Sequence, residues 1–236
     1  MYKDLAKYYD YIYSWKDYKN EAGKIKKLIL KYKRSKGNSL LEVGCGTGRH
    51  LEHFKKDFSC TGIDLNEDML TVARKRLHGV RFLRGNMINF RIKRKFDVIT
   101  CLFSSIGYVK TYKNLESTLN NFSRHLKQGG VVIIEPWFTK AKYRAGSPHL
   151  NVYEGKDIKI ARASVSKSKN DISIMDMHYL IIEKGMGVKH YISHEELGMF
   201  ETSKTLRLMK SVGLDAKFIR NVELMKDRGL YIGVKC

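Results

Sequence analysis

Three closely spaced glycines form the pattern in this chain that most clearly points to chemistry. Gly44, Gly46 and Gly48 follow the apolar run "SLLEV" (39–43) and precede a segment with helical spacing. Residues without a Cβ let the backbone approach a ligand closely, and the helix that follows turns its N-terminus toward that ligand. The loop therefore predicts a nucleotide-type ligand at the carboxyl end of a parallel strand.

Two acids narrow the choice of ligand. Asp64 ends the next apolar run, where a carboxylate can accept two hydrogen bonds from ribose hydroxyls. That feature alone fits both NAD and S-adenosylmethionine. However, the glycines have the spacing G-x-G-x-G rather than the dinucleotide spacing G-x-G-x-x-G. Glu42 also stands two residues before the first glycine, where class I methyltransferases carry an acid. Together these features favour S-adenosylmethionine.

The segments around the loop alternate between strands and helices, and successive β-then-α units form a doubly wound parallel sheet. Between 150 and 195 the helical signals stop and strand patterns replace them. We expect an α/β fold: a doubly wound, seven-stranded, Rossmann-like methyltransferase sheet with a small antiparallel β insert. The core would comprise 1–149 and 196–236, and the insert, 150–195, would cover the substrate side. The predicted core strands are 39–43, 60–65, 80–86, 96–103, 131–136, 216–223 and 229–235; the predicted insert strands are 157–165, 171–183 and 188–194; the predicted helices are 17–34, 48–56, 66–77, 111–130 and 201–212.

Composition leaves several partners open. The 236-residue chain has 45 Lys and Arg against 24 Asp and Glu, a net charge of +21, which suits RNA, an anionic substrate such as a nucleotide sugar, or simply a solvated lysine-rich surface. Methyltransferases of base amino groups usually carry a D/N-P-P-Y/F motif after the fourth strand, but this chain has "LFSSIGY" there (102–108), so RNA is the less favoured partner.

The length of the apolar runs and the spacing of the cysteines predict the cellular location of the protein and whether it binds a metal. No apolar run reaches the roughly 20 residues that cross a bilayer, so we expect a cytoplasmic protein. The spacing of Cys45, Cys60, Cys101 and Cys236 fits no zinc motif, and we expect no metal.

Four longer stretches carry a more specific resemblance. "EHF…EDMLTVARKRL", "FSSIGYVKT", "HLKQGGVVIIEPW" and "RGLYIGV" resemble the N,N-dimethyltransferases of dTDP-3-amino-hexoses, the enzymes of desosamine and mycaminose formation. The resemblance runs along nearly the whole chain. It implies SN2 transfer of a methyl group from S-adenosylmethionine to a neutral sugar amine, and assembly as a homodimer.

The resemblance also implies roles for individual residues. Tyr13 matches a tyrosine near the reacting methyl group, although packing is the alternative in a tyrosine-rich segment. His125 matches a proposed base, although a histidine at a helix C-terminus can instead bond the last carbonyls. Arg228 matches an arginine suited to a pyrophosphate, and Trp137 is expected at the substrate. The expected cofactor site comprises Tyr18, Glu42, Gly44, Cys45, Gly46, Gly48, Asp64, Leu65, Met69, Asn86, Met87, Leu102 and Phe103.

The chain departs from the resemblance at two places. Asn86 stands where the family has Asp, although its side-chain carbonyl can still accept a hydrogen bond from an adenine amino group. The segment after Trp137, "FTKAKYRAGSPH" (138–149), differs from the family's Trp- and Pro-rich version, which lies over the sugar. The acceptor is therefore predicted as a nucleotide-linked amino sugar, with another small amine or RNA as alternatives.

Overall fold

The computed structural model describes residues 5–220 and 228–236. The helices are α1 (Tyr9–Ile12), α2 (Tyr18–Tyr32), α3 (Arg49–Phe54), α4 (Glu67–Arg76), α5 (Tyr112–His125) and α6 (Thr202–Ser211). The strands are β1 (Ser39–Val43), β2 (Ser59–Asp64), β3 (Arg81–Arg84), β4 (Phe96–Cys101), β5 (Leu126–Ile134), β6 (Pro148–Glu154), β7 (Ile158–Lys169), β8 (Ile172–Glu183), β9 (Gly187–Gly198), β10 (Leu214–Ile219) and β11 (Leu230–Lys235).

The larger sheet has the strand order β10-β11-β5-β4-β1-β2-β3. The five strands β1–β5 are mutually parallel, and β11 runs antiparallel to both of its neighbours. The α/β fold with its seven-stranded sheet is therefore confirmed. The strand order reverses at β1, between β2 and β4, and open α/β sheets bind ligands at the carboxyl ends of the strands on either side of such a point.

Apolar residues cover both faces of this sheet. Every residue of β1 and β4 is buried, which is typical of parallel strands packed between two helical layers. Leu41 and Ile99 belong to the core cluster on one face, whereas Leu40 and Val98 belong to the cluster on the other. The sequences of these strands are continuous apolar runs because both of their faces are buried.

The double glycine at 129–130 lies inside strand β5. Helix α5 was expected to continue to the glycines, but it ends at His125 and β5 begins at Leu126. The pairing of β5 with β4 then shifts register between Phe96 and Val98, and Gly129 adopts a positive φ of 70° within this irregularity. The glycines therefore mark a bulge inside a strand rather than a helix end.

A four-stranded antiparallel sheet, β6-β7-β8-β9, forms the insert. Strands β7 and β9 are longer than predicted, and β8 agrees with its prediction to within one residue. Strand β6 was not predicted, because it is an exposed edge strand without a clear alternation of buried residues. The predicted strand 216–223 corresponds to β10, with residues 221–223 outside the described residues. In the described ranges, 5–220 and 228–236, no helix has the length and apolar character needed to cross a membrane.

Candidate active site

A cavity of about 900 Å³ opens at the carboxyl ends of the parallel strands. The glycine loop and the ends of β2 and β4 form one side, and the N-terminal segment, the loop 138–149 and the inner face of the insert form the other. Most of the residues predicted for the site line this cavity: Tyr13, Tyr18, Glu42, Gly44, Cys45, Gly46, Asp64, Met69, Leu102, Phe103, Trp137 and Arg228.

The glycine loop has backbone geometry that suits a closely held ligand. Gly44, Gly46 and Gly48 all have positive φ angles, 70°, 53° and 78°, which residues with a Cβ adopt only at a cost. A Cβ on Gly44 would stand 2.8 Å from the Cβ of Ser105, whereas the corresponding position on Gly46 has no atom within 4 Å. Gly46 therefore turns an open backbone surface toward the cavity.

Gly48 does not line the cavity, although it was predicted to contact the cofactor. A Cβ on Gly48 would lie 3.0 Å from Cδ1 of Leu77 and 3.5 Å from the Cβ of Ala73. This glycine therefore serves the close packing of the loop against α4.

Asp64 fixes the shape of the loop. Its Oδ2 accepts a hydrogen bond from the Gly46 backbone N–H at 2.8 Å, and its Oδ1 accepts one from the Asn66 N–H at 2.9 Å. Burial raises the pKa of Asp64 above its ordinary value, against the opposing effect of these backbone hydrogen bonds. Asn66 in turn caps α4 by accepting hydrogen bonds from the N–H groups of Asp68 and Met69.

Glu42 presents a buried carboxylate oxygen to the same cavity. The side chain is 2% exposed; Oε1 lies 3.4 Å from Nδ1 of His50, and Oε2 has no hydrogen-bond partner among the described residues. Burial raises the pKa of Glu42, and the hydrogen bond with His50 acts in the opposite direction. An orphaned buried carboxylate oxygen favours a ligand that brings a cationic donor.

Tyr13 stands between the core and the insert. Its Oη accepts a hydrogen bond from Nη1 of Arg162 at 3.0 Å, and the guanidinium lies 5.2 Å from the ring centroid. Phe103 meets the ring edge-on at 5.1 Å. Arg162 itself is held by Asn151, whose Oδ1 accepts from Nη2 at 2.6 Å. Arg162 was missed by the sequence reasoning because its contact with Tyr13 depends on the register of the insert strands.

Arg228 lines the cavity while its guanidinium contacts protein groups. Nη2 lies 3.0 Å from Oε1 of Glu135, and Nη1 donates to Oγ of Ser104 at 3.0 Å. Glu135 also accepts a hydrogen bond from the Phe103 N–H at 2.6 Å, so this buried acid fixes the strained turn after β4, where Phe103 and Ser104 have positive φ angles.

Trp137 donates from Nε1 to Oγ of Ser173 at 2.8 Å.

Three further residues predicted for the cofactor, Leu65, Asn86 and Met87, follow the carboxyl ends of β2 and β3 but do not line the cavity. Leu65 is 57% exposed, and Oδ1 of Asn86 accepts a hydrogen bond from the Ile88 N–H at 3.0 Å. Their roles stay predictions.

His125, predicted as a base, does not line the cavity either. Its Nδ1 bonds the Asn121 carbonyl at 2.8 Å, and its Nε2 accepts from the Ile92 N–H at 3.2 Å. The ring is 9% exposed and packs against Phe90 at 4.6 Å. Both nitrogens are thus used by backbone groups, and His125 ties the end of α5 to the segment before β4.

The acids and most of the cationic side chains that line the cavity lie at different ends. In the described part of the chain, Glu42 and Asp64 are the acids that line it, and both belong to the side formed by the glycine loop. Lys142 and Arg144 of the loop 138–149, and Arg162 of β7, line the opposite side. Arg49 of α3 also lines the cavity on the glycine-loop side, where it lies 3.5 Å from Glu52. The cavity therefore suits a ligand with cationic and hydroxyl donors at one end and an anionic ligand at the other. Among the described residues no cluster of His, Cys, Asp and Glu is arranged to hold a metal ion.

Known proteins match this chain over the glycine loop with its neighbouring strands, and also over nearly its whole length. A methyltransferase-domain family profile matches residues 40–130, which span the glycine loop and the strands around it. The dTDP-3-amino-3,4,6-trideoxy-α-D-glucopyranose N,N-dimethyltransferase of Streptomyces venezuelae is 37% identical over 98% of each chain. The chain belongs to the dTDP-amino-sugar N,N-dimethyltransferase family.

The similarity to these sugar N,N-dimethyltransferases includes the insert. The crystal structure of Streptomyces venezuelae DesVI superimposes with a TM-score of 0.88 at 34% identity, over 95% of this chain and 97% of that one. A dTDP-4-amino-2,3,4,6-tetradeoxy-D-glucose N,N-dimethyltransferase of Saccharopolyspora spinosa is 31% identical over 98% of this chain and 93% of its own length. The resemblance predicted from the sequence is confirmed, and this chain is a methyltransferase.

S-adenosylmethionine is the methyl donor of this family, and the residues present fit it. The open backbone at Gly46 allows close approach, Asp64 can accept from ribose hydroxyls, and the orphaned Oε2 of Glu42 can accept from an ammonium group. Cys45 lines the site as a neutral thiol, because burial raises its pKa well above the ordinary value. The glycine-loop side of the cavity is therefore the cofactor end.

Proposed function

We propose that this enzyme transfers a methyl group from S-adenosylmethionine to the amino group of a nucleotide-linked amino sugar. The observation that carries the proposal is a cavity with Glu42 and Asp64 at the cofactor end and with Lys142, Arg144 and Arg162 at the other. Guanidinium and ammonium groups bind phosphate oxygens, so the cationic end suits the diphosphate of a dTDP-sugar. The acceptors named for the related enzymes are dTDP-amino sugars, which agrees with this charge pattern.

The residues around Tyr13 would orient the acceptor amine. The cofactor supplies an electrophilic methyl group on a positively charged sulfur. The hydrogen bond from Arg162 fixes the Tyr13 hydroxyl, which can then hydrogen-bond the amine, while the ring of Tyr13 and the edge of Phe103 exclude water. Aromatic faces also favour a neighbouring cation. The amine nitrogen attacks in its neutral form, and the proton released after transfer can pass to solvent, so this route needs no base at His125.

Mass spectrometry of a reaction mixture tests the proposal. Purified protein and S-adenosylmethionine would be offered dTDP-3-amino-3,4,6-trideoxyglucose, its 4-amino isomer and, in parallel, bulk RNA. We expect one sugar to gain one and then two methyl groups, 14 mass units each, and the RNA to gain none. Methylation of RNA with both sugars unchanged would overturn the proposed acceptor and leave the family assignment intact.

We also propose that the enzyme forms a homodimer through the outer face of the insert. Two copies of a chain with a net charge of +21 repel each other except where local charge is balanced. On this face Asp176 pairs with His194 at 2.6 Å and Lys110 pairs with Glu196 at 2.5 Å, so part of the positive charge beside the apolar surface is neutralised. The large apolar side chains that are exposed on its strands are Leu150, Val152, Val165, Leu180, Ile182, Val188 and Ile192.

A double substitution on this face tests the dimer. Leu180→Glu with Ile192→Glu places like charges on both copies, so the mass from light scattering should fall from twice the chain mass to the chain mass. Leu30→Glu is the matched control, since Leu30 is 63% exposed on α2, and it should leave the mass unchanged. A wild-type mass equal to one chain at micromolar concentration would contradict the proposal.

A further inference from the structure

A buried row of alternating charges leads from the N-terminal segment to the cofactor end of the cavity. Lys16 Nζ pairs with Oε1 of Glu21, and Oε2 of Glu21 lies 3.0 Å from Nε2 of His50. Nδ1 of His50 lies 3.4 Å from Oε1 of Glu42. All four residues are at most 7% exposed. The row ends at Oε2 of Glu42, which has no hydrogen-bond partner among the described residues.

Charge balance in this row depends on the protonation of His50. With a cationic imidazole, two positive groups alternate with two carboxylates, whereas a neutral imidazole would leave two buried carboxylates against one lysine. A buried carboxylate without a charged partner becomes protonated, because desolvation disfavours its ionised form. His50 lies directly between the two acids, and its charge therefore decides whether Glu42 is ionised.

The other groups around His50 have smaller effects. The ring of Tyr18 on α2 contacts it edge-on at 5.0 Å, and Phe54 stacks on it at 6.3 Å. Arg49 and His53 are neighbours on α3, and a positive charge on either would disfavour a cationic imidazole. The two carboxylates in direct contact act in the opposite direction.

The net effect on His50 favours the cation. Burial opposes the charged form, but the hydrogen bonds with Glu21 and Glu42 outweigh it and raise the pKa of His50 to about 9. The pKa of Glu21 is lowered. Burial favours its neutral form, but the contacts with His50 and Lys16 outweigh this effect and leave its pKa below the ordinary value.

We propose that His50 is a positioning residue for the cofactor, whose charge keeps Glu42 ionised so that Oε2 can bind the ammonium group of the amino-acid portion of S-adenosylmethionine. That ammonium would extend the row with a further cation. The proposal rests on the cofactor of the family and not on the acceptor proposed above, so failure of the sugar assay leaves it standing.

Calorimetric binding of two nucleosides tests the role of His50. S-adenosylhomocysteine carries the amino-acid portion, and 5′-methylthioadenosine lacks it. At pH 6, His50→Gln should weaken S-adenosylhomocysteine binding severalfold, since loss of the imidazolium raises the pKa of Glu42 further and favours its protonated form. The difference from wild type should narrow by pH 8, as Glu42 ionises unaided. Binding of 5′-methylthioadenosine should be unchanged at both pH values.

Two further variants separate this role from a structural one. Glu42→Gln should bind S-adenosylhomocysteine weakly and with no dependence on pH in this range, and His50→Gln should add nothing to it in the double variant. Equal loss of affinity for both nucleosides at both pH values would overturn the proposal.

A measurement on the wild-type protein covers the case in which His50→Gln does not fold. Carbon-13 NMR of labelled histidine should report a cationic His50 ring at pH 7.5, where an ordinary histidine is mostly neutral. A neutral His50 at that pH would overturn the proposal without any variant.

Discussion

Tyr13→Phe is expected to lower kcat for methyl transfer about 100-fold, the scale typical of a misplaced reacting group. The substitution keeps the ring that packs against Phe103 but removes the oxygen that accepts from Arg162 at 3.0 Å. The amine would lose its hydrogen-bond partner, and the guanidinium of Arg162 would lose a ligand beside the reacting atoms. The affinity for S-adenosylhomocysteine should stay within about twofold, because the glycine loop is untouched. Steady-state kinetics and calorimetry measure the two effects separately.

His125→Ala is the control for this experiment. It removes the ring that bonds Asn121 and Ile92, so the free energy of unfolding should fall by about 2 kcal/mol, from two lost hydrogen bonds of about 1 kcal/mol each. The kcat of the folded fraction should stay near that of wild type. A 100-fold loss in His125→Ala with unchanged stability would restore the catalytic role predicted from the resemblance, and an unaffected Tyr13→Phe would remove Tyr13 from the proposed site.

The features that the sequence predicted correctly depend on residues that are close together in the chain. Strand β1 was predicted with the bounds it has, because an apolar run is a pattern of neighbouring residues in the chain. The glycine loop was recognised for the same reason. The surroundings of His125 could not be predicted in this way, because Ile92, which donates a hydrogen bond to it, lies 33 positions away.

The contacts that sequence reasoning missed join distant segments. Tyr13 meets Arg162 across 149 positions, and their contact requires the pairing register of the insert strands. His50 had a local signal, since it lies in the helix that follows the glycines, but its two carboxylate partners come from α2 and β1. Glu135 carried the clearest unused signal, an acid directly after the buried run of β5.

Asp64→Asn is expected to weaken cofactor binding at least as strongly as Tyr13→Phe weakens turnover. The carboxylate already accepts from two backbone N–H groups, those of Gly46 and Asn66, and would also accept from the ribose hydroxyls. An amide of the same shape replaces one acceptor oxygen with an NH₂ group that faces a donor. Loss of charge-assisted hydrogen bonds totalling about 3 kcal/mol corresponds to an approximately 100-fold rise in the Kd for S-adenosylhomocysteine.

The affinity for the cofactor should depend on pH through the carboxylate of Asp64. Burial raises the pKa of Asp64, so cofactor affinity in the wild type should be full above that pKa and should fall as the carboxyl protonates in acid. Asp64→Asn should reduce this acid-side fall, and the part that remains would come from protonation of Glu42. Asp68→Asn, at the first turn of α4 and outside the cavity, is the matched control and should bind as wild type does. Wild-type affinity in Asp64→Asn would mean that Asp64 shapes the glycine loop without touching the ribose, and the ribose contact would then have to come from another group of the cavity.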